Sequence, residues 1–288
     1  MSAATPINRA APTPGRSEDD VVMLDNRSVA SEGREPDAGF PQEARLSWSE
    51  RSYVEPASLG LAPGCKPVRK IARKSKRISR PGFFSSRKTW SRDAIRAESL
   101  FEQDGLAHIE TNPRYVRIAP QPHRLTYHLD TGNDGVLVRT YVPDLAVLTI
   151  DRTVVIVDFK WSFLRRDPAW AKLEPVIREA YRRDHGATFR VLTEEHIHVE
   201  PRRTNVTIMM MHRPMVTDGP AITAVRVAID MLGLPSTIGR LRSASGLIPQ
   251  PPEDRAFSAL MELAMAGEVE IDMSERFYDG SVVHRGIR

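Results

Sequence analysis

Val142-Pro143-Asp144 and Val157-Asp158-Phe159-Lys160 hold the residues with the clearest chemical potential in this chain. The first is a Pro-Asp step leading into an apolar run. The second closes another apolar run with Asp-x-Lys. Residues two apart on a strand leave the same face, so Asp158 and Lys160 project together. A tight turn at Asp151-Arg152 returns the chain and brings Asp144 to the same corner of a sheet. Two carboxylates and an ammonium so placed suit metal-dependent cleavage of a phosphodiester. Asp144 and Asp158 can hold Mg²⁺, with Mn²⁺ as a substitute, and such an ion both offsets phosphoryl charge and generates a nucleophile from water. Lys160 can orient that water and stabilise the developing negative charge. The Phe159 carbonyl is a further candidate metal ligand. Glu98 is the fourth candidate, aimed at the same metal from a preceding helix, and Glu102 one turn on can substitute or assist. Singly these signals are weak: Asp-x-Lys is usually a surface ion pair, and Pro-Asp is usually a turn. Their combination at the end of one continuous apolar strand carries the weight.

The elements that must position these groups follow from hydrophobic periodicity. A helix is predicted from Ser91, which can cap it, with Ala94, Ile95, Leu100 and Phe101 as its buried stripe and an end near Gly105. Strands are predicted over residues 115–118 and 125–129. A polar turn over 130–135 makes a hairpin with the run 136–142, which continues through Asp144 to residue 148. The β-branched run 153–159 reads as a strand covered on both faces. Pro168 opens a helix over 168–185 with Leu173, Val176, Ile177, Ala180 and Tyr181 on one face, Pro175 inside it and Gly186 at its end. A strand over 188–192 completes an α/β sandwich with a mixed sheet. Beyond Pro214, helices over 221–232, 236–243 (capped by Ser236) and 254–266 precede a possible hairpin of 268–272 with 281–284. That is a winged-helix pattern.

Net charge is only +4, yet residues 66–92 hold eleven Lys or Arg and no acid, so the remainder is acidic on balance. This local concentration, interleaved with Phe83, Phe84 and Trp90, points to a polyanion partner. Arg69, Lys70, Arg73, Lys74, Lys76, Arg77, Arg80, Arg87 and Lys88 are the candidate DNA contacts, against the plainer reading of a solvated linker. The expected organisation is a disordered tail over 1–62, a basic DNA-contacting segment over 63–90, a catalytic domain over 91–205 and a winged-helix-like domain over 206–288. A single cysteine, Cys65, excludes an intrachain disulfide framework and a cysteine-based zinc site. No secretory leader, membrane-length apolar run or glycine-rich phosphate loop is present, so a cytoplasmic protein without its own ATPase is expected. His196 and His198 alternate on a possible strand end and read as hydrogen-bonded histidines. Met209-Met210-Met211 reads as core packing, and Trp161 and Trp170 as packing near the active-site strand.

With these motifs in place, the stretch from about Arg87 to Ile197 resembles the PD-(D/E)xK nuclease superfamily. Within it, the chain is similar to the TnsA-type endonuclease subunits of bacterial heteromeric transposases. The likeness rests on Glu98-Ser99-Leu100-Phe101-Glu102, Gln121-Pro122, Val142-Pro143-Asp144, Val157-Asp158-Phe159-Lys160 and Val191-Leu192-Thr193-Glu194. The resemblance implies a restriction-endonuclease-like fold, with Glu98, Asp144 and Lys160 in the catalytic positions. The residue two before the lysine varies in that family, and here it is Asp158. It also implies a C-terminal winged helix for contacts with proteins and DNA, and nicking of the 5′ ends of a mobile element in double-stranded DNA. A TnsB-like DDE transposase and a TnsC-like ATPase regulator are the implied partners. The N-terminal extension and the basic segment depart from the simplest family pattern. Two other readings stay open: a stand-alone restriction, repair or resolvase-type nuclease, and a DNA-binding scaffold without catalysis.

Overall fold

A computed structural model describes residues 55–71, 82–91, 94–130, 135–249 and 253–288. Gly82–Phe84 (β1) and Ile95–Ala97 (β2) pair antiparallel ahead of helix α1 (Leu100–Thr111). Strands β3 (Tyr115–Pro120), β4 (Leu125–Asp130), β5 (Val136–Tyr141), β6 (Leu145–Thr149) and β7 (Val154–Phe159) follow, then α2 (Ser162–Arg165), α3 (Pro168–His185) and β8 (Thr188–Leu192). The central sheet has the order β3-β6-β7-β8, antiparallel throughout except for the parallel β7–β8 pair. β4 and β5 form the expected hairpin as a separate two-stranded sheet. The architecture is therefore α/β, a mixed sheet flanked by helices.

Burial on both faces explains the unbroken apolar run of β7. Val155, Val157 and Phe159 pack with Phe101, Leu106 and Ile109 of α1. Val154 and Ile156 pack oppositely, with Ile177, Ala180 and Tyr181 of α3. The Asp167 carboxylate caps α3 by accepting from the amides of Ala169 and Trp170, and Gly186 ends it at φ 59°, a left-handed conformation that glycine adopts without strain.

Several expectations are corrected. No helix starts at Ser91. Ile95–Ala97 is a strand, because Ile95 and Ala97 alternate inward while Arg96 turns out over the Phe83 ring. The helix begins at Leu100, its N-cap is Ser99, and it runs past Gly105 to Thr111. Glu98 thus precedes the helix rather than riding on it. The run from 136 to 148 is not one strand. It breaks at Val142-Pro143-Asp144, so that β5 and β6 belong to different sheets. The expected tail to residue 62 reaches too far, since Leu59 and Leu61 are buried with the α3 core. Residues 1–54 lie outside those described. Nor are the described residues of 63–90 a free arm. Val68 N–H donates to the Gln121 carbonyl at 2.9 Å, and 82–84 are part of a sheet.

After β8 come α4 (Glu194–Ile197) and α5 (Arg202–Met211). His196 therefore lies on a short helix, not a strand end, and its Nδ1 accepts from the Thr193 amide. Helix α5 straddles the boundary expected at 205/206. Met209 is buried and Met210 packs on the α1 core, but Met211 is exposed. Then α6 (Gly219–Leu232), β9 (Ser236–Thr237), α7 (Ile238–Ala244), α8 (Arg255–Ala266), β10 (Val269–Ile271) and β11 (Val282–Arg285) enclose their own core, with a three-stranded antiparallel sheet β10-β11-β9. Thr237 caps α7; Ser236, expected to do so, is paired with Val283 in the sheet. Among the described residues no helix is long and apolar enough to cross a membrane.

Candidate active site

One end of the central sheet collects the terminus of β3, the start of β6 and the ends of β7 and β8. Antiparallel pairing puts Gln121, just past β3, beside Asp144, just before β6; the Gln121 amide donates to the Asp144 carbonyl at 2.8 Å. The Asp144 side chain reaches across to β7, where its Oδ2 accepts from the Phe159 amide at 2.8 Å. Asp158 follows Val154 and Ile156 in facing the α3 side, and it is almost wholly buried. Lys160 leaves the same face. Its Nζ lies 3.4 Å from Asp158 Oδ2 and 4.0 Å from the centre of the Trp170 ring on α3, a cation–π contact that limits where the ammonium can swing. Asp144, Asp158 and Lys160, the core of the expected trio, are thus brought together.

Glu98, the expected fourth ligand, and Glu102, expected to substitute or assist, lie in different surroundings. The Glu98 side chain is 47% exposed and forms an ion pair with Arg69 at 2.9 Å. Glu102 is buried, and its Oε2 accepts from the Glu98 amide at 2.6 Å. Its Oε1 is buried with no hydrogen-bond partner. Glu102 sits in the first turn of α1, held there by Ser99, whose Oγ accepts from the Glu102 amide. The pattern Ser99-x-x-Glu102 is a helix-start signature and was readable in the sequence.

The carboxylates crowd one another. Burial pushes the Asp144 carboxyl well above the usual carboxylate range, and the charges of Asp158 and Glu102 push it further. Glu102 is raised to about 7, first by burial, then by Glu98 and Asp158, against the lowering effect of the Glu98 amide and Arg69. Tyr141, at the end of β5, faces the same group. Burial and then the two aspartates hold its phenol far above the ordinary value, and its hydroxyl has no partner of standard geometry. Sequence reasoning missed Tyr141, and no local signal marks it; the hairpin's fold over the sheet brings it there.

Phe159 enters the site through its amide, as the donor to Asp144. Of the residues proposed to contact DNA, Arg73, Lys74, Lys76, Arg77 and Arg80 lie outside the described residues. Lys70 is exposed. Arg69 turns inward onto Glu98 and stands 3.7 Å from Asp144. Two assignments need correction. Lys88 Nζ donates to the Ile109 and Asn112 carbonyls at the α1 C-terminus, at 2.8 and 2.6 Å, and burial lowers its pKa to about 7. Arg87 is tied to Glu262 at 2.6 Å and to the Pro214 carbonyl. Both cations are spent on internal contacts. Two surface hollows, about 300 and 470 Å³, lie between the β4–β5 hairpin and α3 and share no residue with the carboxylate cluster.

A hard divalent cation fits the donors at this sheet end: all are carboxylate oxygens, and Glu102 Oε1 is buried without a partner. Among the described residues no three His, Cys, Asp or Glu side chains already close around a single point, so a divalent ion would have to draw these side chains together. Neither a protein-family model nor a characterised protein matches this chain.

Proposed function

We propose that this chain is a Mg²⁺-dependent DNA endonuclease of the TnsA type, in a restriction-endonuclease-like fold with a winged-helix-like C-terminal lobe. It nicks the 5′ ends of a mobile element in double-stranded DNA during cut-and-paste transposition. A TnsB-like DDE transposase processes the 3′ ends, and a TnsC-like ATPase regulates the assembly. The observation that carries this reading is the crowding of Asp144, Asp158 and Glu102 at one sheet end, with the Lys160 ammonium 3.4 Å from Asp158. Buried like charges raise one another's pKa and cost stability, so they persist where they serve a function.

Asp144 and Asp158 would hold the ion, with Glu102 or Glu98 completing its shell and the Phe159 carbonyl available as a neutral ligand. A bound divalent cation supplies positive charge at the scissile phosphate and a water of lowered pKa. Lys160 donates toward the phosphoryl oxygens as negative charge develops there. The Trp170 face and Asp158 limit where its ammonium can swing. Asp144 is fixed by the Phe159 amide, so the ligand stays in register with β7.

The test is strand nicking by purified protein with Mg²⁺, assayed alone and with the transposase partner. Asp144→Ala and Lys160→Ala should each reduce nicking by about 10²-fold or more, with DNA affinity nearly unchanged. Wild-type rates in both variants would remove the site assignment. Cleavage of plain duplex without any partner would favour a stand-alone nuclease.

A further inference from the structure

We infer that Arg69 is a built-in competitor for the cation site: its guanidinium occupies the mouth of the carboxylate cluster and must withdraw before a divalent ion can load. This rests on the reading of that cluster as a metal site.

The geometry is specific. Arg69 Nη2 is 2.9 Å from Glu98 Oε1 and 3.7 Å from Asp144 Oδ1, so one nitrogen bridges a rim carboxylate and a central one. Its Nε is buried without a hydrogen-bond partner. The guanidinium is therefore pulled in by charge while part of its donor capacity goes unmet, which makes the contact easier to undo than a saturated one. A cation of this kind and a divalent metal neutralise the same charges, and both cannot do so at full strength.

The backbone around Arg69 is built to hold and to release. Upstream, Leu59 and Leu61 are buried in the α3 core, and the Leu61 carbonyl accepts from the Trp90 indole at 2.9 Å. Immediately before Arg69, Val68 N–H is held by the Gln121 carbonyl, and the Gln121 amide in turn donates to the Asp144 carbonyl. The neighbouring side chains of Lys66, Val68 and Lys70 are exposed, whereas Arg69, just past these anchors, is half-buried with its guanidinium turned to Glu98 and Asp144. The side chain can swing outward without disturbing either anchor. Outside the cluster, it faces the side on which a phosphodiester must approach. The ion then exchanges a protein cation for itself and leaves a guanidinium free for phosphate.

Mn²⁺ binding to the full chain, measured by electron paramagnetic resonance of the free ion without DNA, tests this directly. Arg69→Ala and Arg69→Gln should each bind Mn²⁺ about tenfold more tightly than wild type, whereas Arg69→Lys should stay close to wild type. Circular dichroism establishes that each variant is folded. Asp144→Asn should lose the tight site in every background. Unchanged or weaker Mn²⁺ binding in folded Arg69→Ala and Arg69→Gln, with Asp144→Asn still abolishing it, would overturn the competition and leave the metal site standing. Binding indifferent to Asp144→Asn would overturn both.

Discussion

Helix α1 carries two buried carboxylates, Glu102 in its first turn and Glu110 in its last, and they live in opposite conditions. Glu110 is saturated. It accepts from Ser86 Oγ at 2.6 Å, from the Arg87 amide at 2.9 Å and from Arg213 Nη1 at 2.7 Å. Glu102 receives one amide, has a bare oxygen, and faces two further acids. The same residue type on the same helix is thus a rivet at one end and an unresolved charge at the other. Charge that is buried and fully partnered holds the α1 region to the C-terminal lobe. Charge that is buried and underpartnered is the one available for a ligand.

Removing each carboxylate should have opposite consequences. Glu110→Ala leaves Arg213, only 10% exposed, without its counter-charge, and should lower the unfolding free energy in urea by about 3–5 kcal/mol. A loss under about 1 kcal/mol would mean that Glu110 is no more than a surface pair. Glu102→Gln should instead stabilise the metal-free protein near neutral pH. Glu102 binds its proton up to about pH 7 when folded but only near its ordinary value of 4.5 when unfolded. The folded state therefore holds more protons across that window, and stability falls as pH rises through it. The contribution is on the order of 3 kcal/mol, and Asp144 acts in the same direction. Thermal melts from pH 4.5 to 7.5 should show a decline in the wild type that is much reduced in Glu102→Gln. Parallel curves would place the strain elsewhere.

The sequence made the strands legible and the charges around them only partly so. β7, the β4–β5 hairpin and α3 follow from patterns that burial imposes directly: an all-apolar run, a polar turn between alternating runs, and an apolar stripe bounded by Pro168 and Gly186. Asp144, Asp158 and Lys160 were legible because strand periodicity fixes side-chain direction. The start of α1 was legible only through Ser99-x-x-Glu102; Ser91 offers a rival cap but has Ala94 three residues on, and the pairing of Ile95–Ala97 with β1 rules it out. That one choice moved Glu98 to the rim and Glu102 inward. Arg69, Arg87 and Lys88 all read as members of one basic run, yet each meets a partner distant in sequence: Glu98 and Asp144, Glu262, and the α1 C-terminus. A run of like charge says nothing about which members will be claimed internally.

Gly105 offers the finest probe of the contrast, because it governs how closely α1 approaches β7 between the two carboxylates. An alanine inside a helix normally gains about 1 kcal/mol over glycine. Here the added Cβ would stand 2.1 Å from Phe159 Cε1 and 2.7 Å from Cδ1. The ring cannot yield freely, since Phe101 packs edge-on against it and the Phe159 amide is engaged by Asp144. Either α1 backs away or Phe159 shifts and drags the Asp144 bond with it. Gly105→Ala should therefore cost about 1–3 kcal/mol, whereas Gly219→Ala, where nothing lies within 4 Å, should be close to neutral. If α1 withdraws at its first turns, Glu102 becomes better hydrated and the decline in stability from pH 4.5 to 7.5 should flatten, while the Glu110 contacts, more than a turn further along, keep their contribution. A Gly105→Ala protein that is stabilised as helix propensity alone demands, with the pH slope of the wild type, would show that close approach is not what buries Glu102.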